Sequence, residues 1–322
     1  MKLSLLSFTV ISCLLLFSAC TPLEDSQNNT PIETSETGPV PENTSSEESS
    51  DTDVSREERL AYSLDLGDGK YSDSAQKGYI FSCDTDFHGG GAFQDGPWIE
   101  GNVWYPSKKD VSVSGSVLWG NAEFDLHLDG NERIIETNNL PLQHATGIYP
   151  IAQSDDAYEY DRNPNSIVEQ DISVSLPRNP SLSDAPSCLD RGPIGIMLSG
   201  VPIYNALDEG GRDAVAHEIQ DSCQGHPQQQ GQYHYHSESN CLEDAPAEGE
   251  HSALMGYALD GFGIYGKHGE EGTELHTQDL DICHGHTHEI AWDGEIKEMY
   301  HYHFTEDYPY SLGCFMGIVP SA

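Results

Sequence analysis

The chain has 322 residues, of which 36% are apolar, and its formal net charge is -40 at pH 7. This length and apolar content suffice for one large or two ordinary domains with a buried core. The strong negative charge argues against nucleic acid and anionic lipid headgroups as partners, because both would be repelled.

Residues 1–20 have the pattern of a bacterial lipoprotein signal peptide. Lys2 precedes a mostly apolar run that ends in FSAC, and this run is too short and too one-sided for a membrane-spanning helix. The small residues before Cys20 predict cleavage and lipidation at that cysteine, which would anchor the protein to a membrane. Thr21 at the next position predicts the outer membrane or cell surface of a Gram-negative cell. Ordinary secretion with Cys20 as a bystander is the alternative.

Residues 21–60 are predicted to be a disordered acidic tether. They consist mainly of Ser, Thr, Asn, Pro and Glu, and such a composition buries too little apolar surface to offset the entropy of ordering. A flexible tether of this kind would separate the lipid anchor from the folded part.

The folded part is predicted to be mainly β. Apolar and polar residues alternate over 111–117, 124–128 and 172–176, the period of half-buried strands. The best helical pattern is the segment 212–221. We therefore expect a β-rich, sandwich-like region over 61–190, followed by a second β-rich module over 191–322.

The second module contains an internal repeat. "GIMLSGVPIYN" corresponds to "GYALDGFGIYG", "DSCQGH" to "DICHGH", and YHYH occurs in both copies, always in the same order. The copies span about 195–241 and 256–314. This pattern predicts a tandem duplication whose halves pack about a pseudo-two-fold axis.

The repeated YHYH motif is predicted to be a strand with a histidine face and a tyrosine face, because successive strand side chains point to opposite sides. Two histidines on one face can bind one metal ion if a third ligand comes from elsewhere, and the repeated Gly-His supplies one. Nitrogen ligands favour zinc or copper over calcium or magnesium. The predicted ligands are His226, His234 and His236 in the first copy and His286, His301 and His303 in the second, with His284 and His288 as additional candidates. Asp221 and Asp281 are predicted to accept hydrogen bonds from these imidazoles.

Two other functions are compatible with the same residues. In a structural, adhesion or scaffold module, the tyrosines and histidines would only stabilise the fold by bonding to one another. In a metal-dependent hydrolase, a metal-bound water would attack an ester or phosphate. Glu218, Glu238 and Glu289 are then candidate general bases, although surface acids are more common in so acidic a chain. The sequence identifies no catalytic residue and leaves open whether the protein is an enzyme.

Six cysteines in the folded part are predicted to form disulfides, as is usual in exported proteins. Pairing within each copy joins Cys223 to Cys241 and Cys283 to Cys314, which leaves Cys83 to pair with Cys188. A crossed pairing between the two copies is the alternative, because Cys241 lies where the second copy begins.

The order of several motifs resembles the YHYH-domain family of exported bacterial and eukaryotic proteins. The motifs are "NNLPLQHATGIYP", "DRNPN", "DSCQGHPQQQGQYHYH", "GYALDGFGIYG", "DLDICHGH", and YHYH followed by "YPYSLGC". The resemblance covers about residues 79–317. The family is named for its motif and has no settled activity, so the resemblance implies a domain type and export but assigns no catalytic residue.

Overall fold

Short strands that form small sheets make up the first half of the described chain. The computed structural model describes residues 62–320, apart from 243, 245 and 248. The strands in this half are β1 (Leu64–Asp65), β2 (Tyr71–Ser72), β3 (Ile80–Phe81), β4 (Ile99–Glu100), β5 (Val103–Trp104), β6 (Phe124–Asp129), β7 (Glu132–Thr137), β8 (Ile172–Pro177) and β9 (Leu182–Ser187). They form the sheets β1-β5-β4, β2-β3 and β6-β7-β8. The predicted signal peptide, Cys20 and the tether lie outside the described residues.

An eight-stranded sheet forms the second half. Its strands are β10 (Pro193–Met197), β11 (Pro202–Tyr204), β12 (Gly225–Pro227), β13 (Tyr233–Tyr235), β14 (Leu254–Ala258), β15 (Gly263–Tyr265), β16 (Gly285–Trp292) and β17 (Glu295–His303). A last strand, β18 (Phe315–Gly317), pairs with β9 of the first half. The fold is therefore mainly β, as predicted.

The two halves of the large sheet have the same strand order and the same pairing directions. The order is β12-β13-β11-β10-β14-β15-β17-β16. In each half an antiparallel pair is followed by a parallel pair and then by an outer antiparallel pair, and the halves meet through antiparallel β10 and β14. This arrangement agrees with the sequence repeat, while duplication and exact two-fold symmetry remain predictions.

Two predictions of local structure need correction. The helix predicted at 212–221 is the single turn α1 (Ala214–His217), because the chain leaves it in an extended conformation at Glu218. The strand predicted at 111–117 is wrong, since this segment forms only isolated bridges at Val113 and Val117. Gly115, between them, has a φ of 115°, which interrupts an extended strand.

The large sheet is covered on both faces. On one face it packs against β6-β7-β8 through Ile135 and Leu176 from the small sheet and Ile196, Tyr257 and Trp292 from the large one. The two layers of this sandwich therefore come from different halves of the chain: β6-β7-β8 from the first half and the large sheet from the second. The other face packs against the larger core, which includes the tyrosines of β13 and β17.

A buried ion pair lies at one edge of the smaller core, which is the one between β6-β7-β8 and the large sheet. The guanidinium of Arg133, whose side chain is 3% exposed, lies 2.8 Å from Asp293 and stacks over the Tyr257 ring. Arg178 also contacts Asp293 at 2.8 Å. Burial opposes ionisation, but the hydrogen bonds from the two arginines outweigh it and lower the pKa of Asp293 below 3.8.

We expect Asp293→Asn to lower the free energy of unfolding by roughly 3 kcal/mol, because it leaves a buried arginine without its charge partner. Asp293 has a φ of 50°, which Asn tolerates well, so the variant tests charge rather than backbone. The stabilisation is present above pH 3.8 and is lost as the pH falls through the lowered pKa. Urea unfolding at several pH values measures it, with exposed Asp125→Asn as the control. Equal stability of Asp293→Asn and wild type at pH 7 would contradict the ion-pair argument.

Three disulfides join the predicted cysteine pairs: Cys83–Cys188, Cys223–Cys241 and Cys283–Cys314. Pairing within each copy is thereby confirmed, and the crossed alternative is wrong. Cys223 and Cys283 each belong to a repeated Asp-x-Cys, and Cys241 and Cys314 each follow a YHYH motif. These two disulfides therefore join corresponding positions within the two copies. No helix of the described residues is long and apolar enough to cross a membrane.

Candidate metal centres

Both YHYH motifs lie on strands with one histidine face and one tyrosine face, as predicted. The first motif is centred on β13 and the second ends β17. In each copy the Gly-His strand is the antiparallel neighbour, and its histidine lies directly opposite the first histidine of the motif: His226 opposite His234 and His286 opposite His301. This register brings three imidazoles together in each half of the sheet.

The first cluster, centre 1, consists of His226, His234 and His236. Their candidate ligand atoms all lie within 4.8 Å of one another, and all three residues are buried. The Nε2 atoms of His234 and His236 are 3.1 Å apart. Two imidazoles bound to one ion at tetrahedral angles, with metal–nitrogen bonds of 2.0–2.1 Å, would have nitrogens about 3.3–3.4 Å apart. The spacing is therefore close to that of a metal site.

Backbone carbonyls fix the tautomers of two centre 1 imidazoles. Nδ1 of His234 lies 3.2 Å from the Gln232 carbonyl, and Nδ1 of His236 lies 2.5 Å from that of Asn205. Because a carbonyl only accepts, each Nδ1 must donate its proton, which leaves the lone pair on Nε2. The two facing Nε2 atoms are then both acceptors, and a cation between them would satisfy both.

The second cluster, centre 2, contains five histidines. They are His251, His286, His288, His301 and His303, and their candidate ligand atoms also lie within 4.8 Å of one another. The Nε2 separations are 3.3 Å for His251 and His301, 3.2 Å for His251 and His303, and 3.0 Å for His286 and His303. Four imidazoles at these spacings are enough for a complete tetrahedral nitrogen site.

Carbonyl acceptors again fix the Nδ1 proton in centre 2. His251 donates to Ser252 at 2.8 Å, His301 to Met299 at 3.0 Å, His303 to Gly266 at 2.6 Å, and His288 to Glu289 at 2.9 Å. The equivalent histidines His234 and His301 are oriented in the same way, because each donates its Nδ1 proton to the carbonyl two residues earlier.

Burial keeps five of the clustered imidazoles neutral. It lowers the pKa of His236 to about 4, that of His286 to about 4, and that of His301 to about 2. The pKa values of His226 and His234 also fall well below 6.5 for the same reason. Neutral imidazole is the form that binds zinc, copper and other transition metals. Both centres therefore offer several metal-competent nitrogens near neutral pH.

The tyrosine faces have a separate, structural network. Tyr233 donates to Asp221 at 2.9 Å and the equivalent Tyr300 donates to Asp281 at 3.1 Å. The carboxylates also accept backbone amide hydrogens, as Asp221 does from Cys223 and Gly147. The prediction that Asp221 and Asp281 orient the imidazoles is therefore wrong, because both lie on the opposite side of the strand.

The second tyrosine of each motif is also anchored. Tyr302 donates to buried Asp260 at 2.6 Å and accepts from the Met316 amide at 2.8 Å. Its counterpart Tyr235 lies 2.6 Å from Nε2 of His144 and 3.3 Å from Oγ of Ser199. The structural interpretation thus holds for the tyrosines.

We expect Tyr302→Phe to lower the free energy of unfolding by about 1–3 kcal/mol, because Asp260 and the Met316 amide lose a buried partner. The loss should be the same with and without added metal, since the hydroxyl faces away from centre 2. Urea unfolding in chelator and in zinc measures this, and Tyr62→Phe, at an exposed position, is the control. A loss seen only with metal would show that the hydroxyl belongs to the metal site.

Three of the residues predicted for the site lie elsewhere. His284 is buried and its Nε2 bonds to Thr305 at 3.0 Å, so it is not part of centre 2, although His288 is. Glu289 contacts His288 through its backbone carbonyl alone. Glu238 has a buried carboxylate oxygen without a hydrogen-bond partner among the described residues, and burial raises its pKa to about 7, but it belongs to neither centre.

A third group of potential ligands is not a metal site. His144, Cys223 and Cys241 lie close together, but the two sulfurs are joined in a disulfide. Disulfide sulfur lacks the thiolate charge that metals require.

Glu218 is the carboxylate beside centre 1. One of its oxygens lies 3.6 Å from Nε2 of His226 and 3.7 Å from Nε2 of His236. These distances are too long for hydrogen bonds. The same oxygen is buried and has no hydrogen-bond partner among the described residues. Burial raises the pKa of Glu218 well above 4.5.

Centre 1 also borders a cleft of about 930 Å³. Glu218 and the three histidines form part of its wall. The remaining wall includes Asn163, Asn165, Tyr204, Gln228, Gln232 and Arg162.

Sequence reasoning missed His251 and gave Glu218 no more weight than Glu238 and Glu289. His251 stands alone in a polar loop, without a repeat partner, so no pattern pointed to it. For Glu218 the only signal was its place before the repeated Asp-x-Cys-x-Gly-His block, which does not fix where a side chain points.

A family model described as YHYH protein matches residues 173–275. The predicted resemblance is confirmed for that segment, which contains all of centre 1 and His251 but ends before β16 and β17. No curated protein and no solved structure matches the chain.

Proposed function

We propose that the protein is an exported, lipid-anchored protein that binds one transition-metal ion at centre 1 and another at centre 2. The observation that carries the proposal is the convergence of Nε2 atoms whose Nδ1 protons are held by backbone carbonyls. Where both Nδ1 protons are held in this way, the facing Nε2 lone pairs lie 3.1–3.3 Å apart, which is unfavourable without a cation. A bound ion would turn this repulsion into ligation.

Zinc and copper are the metals that this donor set favours. Neutral imidazole is a borderline-soft ligand that binds both, while calcium and magnesium require oxygen donors. Backbone carbonyls would serve as the outer partners that orient the rings and raise the basicity of the ligating nitrogens. The repeat supplies three histidines to each centre, and His251 supplies a fourth to centre 2.

Metal analysis of protein purified without chelator tests this function. Two metal ions per chain are expected for the wild type, and one for the double variant His234→Ala/His236→Ala. The rival scaffold function predicts no bound metal in either protein and no change in melting temperature on chelation. That result would overturn the proposal.

Export and lipid anchoring are supported by the N-terminal sequence and by the three disulfides, which form and persist in oxidising compartments. We expect Cys20→Ser to move the protein from the membrane fraction to the soluble fraction and to abolish incorporation of labelled palmitate. Cys13→Ser, a cysteine within the signal peptide, is the control and should leave both unchanged. Membrane association of Cys20→Ser would contradict the anchor.

A further inference from the structure

We propose that centre 1 is a hydrolytic centre for neutral carboxylic esters, with Glu218 as its general base, whereas centre 2 is structural. This inference rests on the proposed metal binding. It assigns different tasks to two centres that the sequence repeat presents as equivalent.

The first argument is the number of ligands. Structural zinc sites have four protein ligands, while catalytic sites have three and keep one position for water or substrate. Centre 2 has five imidazoles within reach of one ion. Centre 1 has three imidazoles, so an ion bound there keeps an exchangeable position.

The second argument is the position of Glu218. Its carboxylate oxygen lies on the side of His226 and His236, at 3.6 and 3.7 Å from their Nε2 atoms, and it does not belong to the group of mutually converging ligand atoms. This offset suits a carboxylate that accepts a hydrogen bond from a metal-bound water better than one that binds the metal directly. This oxygen is buried and has no hydrogen-bond partner among the described residues, which is costly unless such a donor or a cation satisfies it.

Hydrogen bonds hold the backbone of Glu218 in place and so fix the point from which its side chain extends. The Glu218 amide bonds to the Ala214 carbonyl at 3.0 Å, and the Lys109 ammonium donates to the Glu218 carbonyl at 2.7 Å. Lys109 also bonds to the Val215 carbonyl and the Gln220 side chain. A rigid base is what proton transfer at a fixed position requires.

The third argument is the cleft, which gives a small molecule access to the open position. It has room for about 930 Å³ and borders Glu218 and all three histidines. Among the residues that the structure describes, the carboxylate nearest to a centre 2 histidine belongs to Glu270, 3.9 Å from Nδ1 of His288. That Glu270 side chain is 59% exposed and faces a nitrogen already bonded to a carbonyl.

The lining of the cleft favours a neutral substrate. Amide side chains such as Asn163, Gln228 and Gln232 can bond to neutral polar groups. The four acidic residues of the wall outnumber its two arginines: Asp161, Asp208, Glu209 and Glu218 against Arg162 and Arg191. The whole chain carries a net charge of -40. A phosphate ester with two negative charges would be repelled, so a carboxylic ester fits better than a phosphate.

The reaction needs only water as co-reactant. Glu218 would accept a proton from a water at the open position, and the resulting hydroxide would attack the ester carbonyl carbon. A metal ion held by His226, His234 and His236 would supply Lewis-acid stabilisation of the developing oxyanion. The bond between that carbon and the alkoxy oxygen would then break, and Glu218 would return the proton to the leaving oxygen. The products are a carboxylic acid and an alcohol.

Hydrolysis of p-nitrophenyl acetate by the zinc-loaded full chain is the test. We expect metal-dependent turnover in the wild type and a decrease in kcat of at least 100-fold in Glu218→Gln, with two metal ions still bound. Glu159→Gln is the matched control, because it removes an exposed carboxylate that does not line the cleft, and it should retain wild-type activity. Glu218→Asp, which keeps the charge but withdraws it by one methylene, should lie between the two.

Each other outcome overturns the inference. Equal activity of Glu218→Gln and wild type would show that Glu218 is not the general base. Hydrolysis of p-nitrophenyl phosphate faster than that of p-nitrophenyl acetate would refute the substrate class. A wild type that binds two metal ions but does not exceed the rate in buffer would refute catalysis while leaving the proposed metal binding intact. Absence of bound metal would refute both.

Discussion

Chelation will lower the melting temperature of this protein, and zinc will restore it. A ligand that binds only the folded state stabilises it by about 4 kcal/mol when its free concentration is 1,000 times Kd, and two independent centres would double this. The expected total of about 8 kcal/mol is comparable to the entire stability of many domains. Thermal unfolding in chelator and in graded free zinc measures the effect.

Variants can assign this stabilisation to its two sources. We expect His234→Ala/His236→Ala to lose the zinc-dependent increment of centre 1, and His301→Ala/His303→Ala to lose that of centre 2. His127→Ala is the control, because His127 is half-exposed and Asp125 is the only hydrogen-bond partner of its ring among the described residues. A melting temperature that does not respond to zinc in any of these proteins would refute both centres.

Of the three disulfides, Cys83–Cys188 is expected to contribute most to the free energy of unfolding. The two cysteines are 105 residues apart, and the chain-entropy model assigns about 4.7 kcal/mol to a loop of roughly 100 residues. This bridge also ties the first half of the chain to the segment just before β10. We therefore expect Cys83→Ala/Cys188→Ala to be largely unfolded near physiological temperature, as measured by far-ultraviolet circular dichroism.

The Cys223–Cys241 bridge is the internal comparison. Its cysteines are only 18 residues apart, so the same model gives about 3 kcal/mol for Cys223→Ala/Cys241→Ala. If this second variant were the less stable of the two, local strain or packing rather than loop length would govern the cross-links.

The repeat was the most informative feature of the sequence for the fold. It predicted which residues correspond, and the structure gives the corresponding strands the same order in both halves of the large sheet. Strand periodicity also predicted β6 and β8. It failed at 111–117, where alternating valines follow a loop, because alternation alone does not supply a strand partner.

The same repeat predicted three histidines in each centre but could not predict what surrounds them. Glu218 approaches centre 1 from the segment between β11 and β12, whereas His251 approaches centre 2 from the loop between β13 and β14. These positions are not equivalent in the repeat. Comparison of the two copies therefore could not identify either residue.

The alternation of the YHYH strands and the three corresponding histidines of each copy could be predicted from the linear chain. These follow from period and spacing, which are properties of a linear chain. Packing between distant segments selected the cysteine pairing within each copy. It also placed Asp221 and Asp281 on the tyrosine face and His284 apart from centre 2, and it brought Glu218 and His251 to two different centres. Contacts between segments far apart in the chain depend on how the strands pack, and no local pattern records them.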